Sequence, residues 1–261
     1  MVKVALLGPE GTYTHQAAKQ YFEGLQPVFC STIRGVFDSE AGTKLVPIEN
    51  SLGGGVSDTI DLLKQRSQRV TGEVVLPIQH ALISDEDSVE DIEKVKSHPQ
   101  ALAQCKEIIQ KHDWDTEEVD STAKAVEGLG EEEAAIASEI AAEINDVSVL
   151  KRSIQDRDTN VTRFLVLEGR PESGDLDKSC LILEPEEDRP GVLHAMLSCF
   201  AGHGINLTHI QSRPTKEGLG KYFFFVEAQA AGEKLDKAVN CLETYGKVDI
   251  LGRFSEAERP F

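Results

Sequence analysis

Residues 158–167 read D158-T-N-V-T-R-F-L-V-L167, and those that follow read E168-G-R-P-E-S-G-D-L-D-K178. The first stretch passes from hydroxyl, amide and guanidinium side chains into an unbroken apolar run, the pattern of a turn entering a buried strand. The second holds two glycines, a proline and several charges with almost nothing apolar, which reads as a linker. The chain is thereby divided, and the patterns on either side of the division differ.

On the N-terminal side, strand-like runs alternate with amphipathic helical patterns. Strands are expected at 2–8, 44–48 and 94–97, with an extended segment at 73–83 where Pro77 argues against helix. Helices are expected at 14–22, 56–64, 99–111, 121–130 and 131–143. This alternation indicates an α/β domain. On the C-terminal side the order is strand (178–184), helix (191–201), strand (205–213), strand (221–228), helix (234–245) and strand (247–254). That β-α-β-β-α-β order is ferredoxin-like.

With 261 residues, 40% of them hydrophobic, the chain can bury one large core or two ordinary ones. It has no apolar run of about 18 residues. M1-V-K-V-A-L-L-G-P-E-G11 lacks the features of a secretory signal and reads as a strand entering a glycine turn, so a cytoplasmic protein is expected. The five cysteines (Cys30, Cys105, Cys180, Cys199 and Cys241) are scattered, odd in number and without a C-x-x-C pair, so neither a disulfide framework nor a zinc site is expected. No histidine pair has metal-ligand spacing, and no metal is expected. The formal net charge of −18, from 45 acidic and 27 basic residues, argues against nucleic acid and anionic membranes as partners. It also fits a high-salt cytoplasm, where screening shortens the reach of self-repulsion.

Several strand-to-helix junctions of the first domain carry the same chemistry. G8-P-E-G-T-Y-T14, P47-I-E-N-S-L-G-G-G-V56, S97-H-P99 and S121-T122 each set hydroxyl, amide or glycine residues before a helix. Such residues cap orphan N–H groups, and glycine lets the backbone approach a ligand closely. Helix N-termini favour negative charge, and ligands of open α/β sheets gather at strand carboxyl ends. The set, with T-R-F, points to a site for a small carboxylate. Neither glycine cluster is a P-loop or a dinucleotide fingerprint, so no phosphate cofactor is expected.

Taken together, G8-P-E-G-T-Y-T14, V46-P-I-E-N-S51, S97-H-P-Q-A-L-A-Q-C105, S121-T-A-K-A125, A135-I-A-S138 and N160-V-T-R-F164 resemble, in order, the signatures of the prephenate dehydratase family. R189-P-G-V-L193 and I205-N-L-T-H-I-Q-S-R-P214 resemble the two effector segments of an ACT domain. Two residues depart from the pattern: Tyr13 stands where Phe is frequent, and Gln211 stands where an acid is usual.

The resemblance implies a two-lobed catalytic domain like type-2 periplasmic binding proteins at 1–168, followed by a linker at 169–177 and an ACT domain at 178–256. The first lobe would take about 1–76 and 156–168, the second about 77–155, with T-R-F facing the cleft where the chain returns. The implied reaction turns prephenate into phenylpyruvate, water and carbon dioxide, with L-phenylalanine as allosteric effector. Effector sites at a subunit interface imply a homodimer or homotetramer. Thr162 would be the residue essential to catalysis and Arg163 the bidentate partner of a substrate carboxylate. A threonine hydroxyl is a poor general acid, so its expected role is a hydrogen bond to the departing hydroxyl. Thr12, Asn50, Ser51, Ser121, Thr122, Asn160 and Phe164 would line the substrate site, with Glu49 and His98 as neighbours. Gly191, Val192, Leu193, Asn206, Leu207, Gln211, Ser212, Arg213 and Pro214 would form the effector site. Arogenate dehydration and a non-catalytic amino-acid sensor are the alternative readings. With a strand at the start of the chain, no chorismate mutase activity is expected.

Overall fold

The computed structural model describes residues 1–258 apart from 67, 171–175, 217 and 219. Most of the expected linker therefore lies outside the described residues. In chain order the elements are β1 (Val2–Leu7), α1 (Tyr13–Tyr21), β2 (Leu25–Cys30), α2 (Ile33–Asp38), β3 (Thr43–Asn50), β4 (Gly54–Gly55), α3 (Ser57–Arg66), β5 (Val70–Pro77) and β6 (Ala81–Ile83). There follow β7 (Lys94–Ser97), α4 (Pro99–Gln104), α5 (Lys106–His112), β8 (Asp115–Glu118), β9 (Glu133–Ala137), α6 (Glu139–Asn145), β10 (Val149–Lys151) and β11 (Val161–Leu167). The last set is β12 (Lys178–Pro185), α7 (Val192–Gly202), β13 (Leu207–Pro214), β14 (Tyr222–Ala228), α8 (Gly232–Leu242) and β15 (Gly246–Phe254).

These strands make three sheets. The first runs β2-β1-β3-β11-β5, with β4 paired to β3; the second runs β10-β6-β9-β7-β8; the third runs β13-β14-β12-β15. Strand β11 lies antiparallel between β3 and β5, so the chain leaves the first sheet after β5 and comes back to it through β11. The two crossings are tied where the Ile78 N–H donates to the Asn160 carbonyl at 2.8 Å. All pairings in the third sheet are antiparallel.

Side-chain alternation along strands explains how the third sheet is used on both faces. On β12, Leu181 and Leu183 pack under α7 and α8. Their neighbours Cys180 and Ile182 join Phe223, Phe225, Leu251 and Phe254 against Val46, Ile48, Leu165 and Leu167 of the first sheet. The C-terminal domain is therefore welded to the first lobe by an apolar layer.

Four expectations need correction. The helix expected at 131–143 is strand β9 followed by α6: Ala134–Ala137 are all buried in the middle of a sheet, and a short, fully buried alanine-rich run has no periodicity to tell strand from helix. The helix expected at 121–130 is only a 3₁₀ turn at Lys124–Val126. The helix expected at 99–111 breaks at Cys105, whose ψ of 27° leaves helical geometry between α4 and α5. Finally, Cys199 and Cys241 form a disulfide joining α7 to α8. Helix packing brings the two together across 42 residues, a distance over which spacing carries no information. Strands β2, β8 and β10 and helix α2 had no sequence expectation; β8 is exposed throughout, so no apolar alternation marks it.

Candidate active site

Strand geometry decides which residues of T-R-F can act together. Successive side chains point to opposite faces, so Thr162 and Phe164 share one face and Arg163 takes the other. Register then adds partners: Thr162 pairs with Asn50 and Arg163 with Glu49. On the Thr162 face lies a cleft of about 270 Å³ between the first two sheets. The first lobe contributes Thr12, Tyr13 and Thr14 at the start of α1, Pro47 and Asn50 of β3, and Thr162 and Phe164 of β11. The second contributes His80, His98, Gln100, Ala101 and Gln104, with Asp120, Ser121 and Thr122 at its mouth; Ile78 and Asn160 sit at the crossings.

A hydrogen-bonded chain runs across this cleft, and its polarity is set from one end. The backbone N–H groups of Leu52 and Gly53 donate to Asn50 Oδ1 at 3.0 and 2.8 Å. An N–H can only donate, so Asn50 must present Nδ2 on its other side. That amide donates to Thr162 Oγ1 at 2.9 Å and to Asn160 Oδ1 at 2.8 Å. Asn160 Nδ2 in turn donates to Gln104 Oε1 at 2.7 Å. The same Gln104 oxygen meets His80 Nε2 at 3.0 Å, and His80 Nδ1 meets the Tyr13 hydroxyl at 2.6 Å. Because Thr162 Oγ1 receives its bond, its own proton remains to be given, and it has no acceptor among the described residues. The Gln104 Nε2 group is likewise without a partner among them.

Among the described residues, the cleft lining holds no lysine or arginine. Charge is concentrated instead on the reverse face of β11. There the Arg163 guanidinium bonds Glu49 at 3.0 Å, Glu73 at 2.7 Å and Glu227 at 2.8 Å. Lys178, fully buried, holds Glu73 at 2.9 Å from the other side. Burial opposes the charge on Arg163, but the carboxylates of Glu227, Glu73 and Glu49 outweigh it and push the pKa up. The Glu49 carboxyl is held down, to about 2, first by the His209 ring and then by Arg163, against a partial burial that works the other way.

The expected site residues therefore separate. Thr12, Asn50, Ser121, Thr122, Asn160, Thr162 and Phe164 all line the cleft. Arg163 does not: it points away from the cleft and is saturated by carboxylates, so it cannot grip a substrate there. Glu49 shares that reverse face. Ser51 is outside the cleft as well; its hydroxyl donates to the Thr159 carbonyl and accepts the Val161 N–H, pinning the return into β11. His98 lines the cleft while its Nδ1 caps α4 through the Gln100 N–H. Tyr13, His80 and Gln104 were missed. The available signal was polarity in apolar company: His80 interrupts P77-I-Q-H-A-L-I83, and Gln104 lies three residues after buried Ala101 on a helix.

In the C-terminal domain, Gly191 caps α7 in a left-handed conformation (φ 85°) with Val192 and Leu193 opening the helix. Asn206 bonds Gln229. On β13, Gln211 and Arg213 point toward the catalytic domain. Gln211 Nε2 donates to Ser57 Oγ at 3.2 Å, and Arg213 makes a two-pronged pair with Asp61 of α3 at 2.9 and 3.0 Å. Gly55 lies so close to the Gln211 side chain that a Cβ there would collide with it.

Comparison with known proteins agrees with this geometry. The prephenate dehydratase family matches residues 4–172, and the ACT domain matches residues 187–235. The chain is 42% identical over 270 aligned positions to a bifunctional chorismate mutase/prephenate dehydratase of Aquifex aeolicus, covering 98% of this chain and 74% of that one. It is 38% identical to a prephenate dehydratase of Methanocaldococcus jannaschii, covering 94% and 95% of the two chains. The crystal structure of a prephenate dehydratase from Arthrobacter aurescens in complex with L-Phe superposes with a TM-score of 0.86 at 31% identity, covering 98% and 90%. With a cleft built from the ordered motifs and an ACT domain packed on its first lobe, the chain belongs to the prephenate dehydratase family.

Proposed function

We infer that the protein converts prephenate to phenylpyruvate, carbon dioxide and water, and that L-phenylalanine bound at its ACT domain regulates the reaction. The observation that carries the catalytic part is the Thr162 hydroxyl, held by Asn50 as an acceptor and left with a proton to give into the cleft. In the reaction the bond from the ring to its carboxylate breaks and its electron pair enters the ring. The ring becomes aromatic as the C–O bond to the hydroxyl breaks, and one proton converts the departing hydroxide to water. The products are the phenylpyruvate monoanion, carbon dioxide and water. Aromatisation makes the step downhill, so the protein's part is to orient the dianion and assist the leaving group.

Thr162 donates to the leaving oxygen, and solvent at the cleft mouth supplies the net proton. With no lysine or arginine among the described residues of the cleft, the carboxylates are met by neutral donors: the Gln104 amide, the Ser121 and Thr122 hydroxyls, and the Tyr13 and Thr14 N–H groups that open α1, the next N–H, of His15, being capped by Thr12. A fixed cation would hold the ring carboxylate in the ground state and oppose its loss as neutral carbon dioxide; neutral donors avoid that penalty.

Regulation is supported by β13. The strand that carries the effector segment also grips α3 through Gln211 and Arg213, and Gln211 abuts Gly55 of β4, two residues beyond the Gly53 N–H that holds Asn50. A change in β13 would reach the loop that orients Asn50. In this reading the ACT domains pair between copies of the chain, giving a dimer or tetramer.

The test is phenylpyruvate formation from prephenate by the purified protein in molar salt, with and without millimolar L-phenylalanine, with arogenate as parallel substrate. Turnover of prephenate that L-phenylalanine changes supports both parts. Turnover indifferent to L-phenylalanine removes the regulatory part, preferential turnover of arogenate reassigns the substrate, and no turnover by folded protein overturns the reading.

A further inference from the structure

The cleft-spanning chain ends at Tyr13 and His80, two residues that the reaction chemistry leaves without a task. Tyr13 opens α1 in the first lobe, and His80 is buried at the start of the second, 3% exposed. Their rings meet edge to face at 5.6 Å, with the hydroxyl 2.6 Å from Nδ1. The tautomer of His80 follows from its neighbours. Gln104 Oε1 already accepts from Asn160, and an amide oxygen has no proton to give, so His80 Nε2 must carry the hydrogen of that contact. Nδ1 of the neutral ring is then an acceptor, and the Tyr13 hydroxyl is the donor placed to satisfy it: its one hydrogen has two acceptors in reach, His80 Nδ1 at 2.6 Å and the Gln79 carbonyl at 3.1 Å, and the nearer is Nδ1.

We propose that Tyr13 and His80 are positioning residues: the tyrosine hydroxyl holds His80 as its Nε2–H tautomer, and His80 holds Gln104 with its NH₂ group turned into the cleft toward a substrate carboxylate. The assignment rests on the dehydratase reading of the cleft. Burial agrees with it, since it lowers the pKa of His80 and raises that of Tyr13, keeping both neutral. An inverted Gln104 would present its oxygen to a dianion, and His80 would then have to donate from Nδ1. The Tyr13 hydroxyl opposes that state by giving its hydrogen to the Nδ1 lone pair at 2.6 Å, the closer of its two acceptors; the inverted state would turn that hydrogen to the Gln79 carbonyl at 3.1 Å. Asn160 opposes it from the other side. Two independent donors thus converge on one amide orientation, which a substrate-binding group needs and a merely buried glutamine does not.

The experiment combines a spectroscopic and a kinetic reading of Tyr13→Phe, His80→Gln and His80→Leu. The ¹⁵N signals of the histidine rings in the unliganded protein report the tautomer without any turnover. The expected result is protonation at Nε2 in the wild type and an admixture of the Nδ1–H form in Tyr13→Phe. In turnover, Tyr13→Phe raises KM about tenfold with kcat little moved, the signature of a lost ground-state contact and the size of one hydrogen bond. Glutamine at position 80 can place an N–H near the position of Nε2, so His80→Gln recovers most of the KM that His80→Leu loses. Nδ1–H in the wild type, or a tautomer indifferent to Tyr13→Phe, overturns the proposal even if prephenate is turned over. Equal KM for the glutamine and leucine variants, both folded, also overturns it. If the wild type proves inert toward prephenate while its tautomer is as stated, the dehydratase reading fails and the orientation of the glutamine stands.

Discussion

Replacing Arg163 by Met separates the structure from the expectation drawn out of T-R-F. In the fold, two buried cations, Arg163 and Lys178, face two buried carboxylates, Glu73 and Glu227, whose side chains are 1% and 0% exposed. Methionine fills much of the volume but removes one cation, leaving Lys178 alone between two anions. It reaches Glu73 at 2.9 Å but Glu227 only at 3.4 Å. Removing one partner of a buried pair costs about 3–5 kcal/mol. For a chain of this size each kcal/mol shifts the melting temperature by about 2–4 °C, so a fall of about 6–20 °C is expected. Removing an anion as well, in Arg163→Met with Glu227→Gln, restores the balance and recovers a large part of the loss; the double-mutant cycle gives the coupling. The assay is thermal unfolding of the four proteins, with steady-state turnover of each measured well below its transition. If Arg163→Met melts like the wild type but loses turnover, the guanidinium works in the cleft and the placement argued above is wrong.

Three further outcomes are expected. Thr162→Ala lowers kcat by about 10²–10³-fold, as for other donors aimed at a developing anion, without moving the melting temperature, and Thr162→Ser keeps much of the rate. Retention of turnover within a few-fold by the alanine variant would remove the role assigned to its hydroxyl. The disulfide across 42 residues contributes about 4 kcal/mol by chain entropy, so reductant lowers the unfolding midpoint of the wild type and leaves Cys199→Ser unmoved. For Glu49 the folded pKa lies below the unfolded one, so its contribution is present above about pH 4.5 and is lost as pH falls toward 2. Glu49→Gln flattens the acid limb of the stability curve there, read from urea midpoints against pH.

Much of this protein was legible in the residues. The six elements of the second domain were read closely: α7 and α8 keep a helical apolar spacing, and β12 and β14, although buried on both faces, are short apolar runs of strand-forming Leu, Ile, Phe and Val. The first domain was read less well where a fully buried run is also rich in alanine, a strong helix former. Ala134–Ala137 carry no contrast between faces, and the helix expected across them is a central strand. The site shows the same division. Seven of the expected residues do line one cleft, and strand alternation alone forbids Thr162 and Arg163 from sharing it.

The sequence by itself determined the two domains, the motifs that mark the family, and the presence of hydroxyl and amide groups at strand ends. It could do so because these are local properties of period, turn chemistry and residue type. Only the tertiary structure decided which face of β11 meets the cleft, since that depends on what the neighbouring sheets cover. The same holds for Arg163 and its three carboxylates, which come from β3, β5 and β14 and are separated by 64 to 114 residues from the guanidinium they surround. It holds also for the orientation of Gln104 and His80, because a hydrogen bond's direction is fixed by partners that only folding brings within 3 Å.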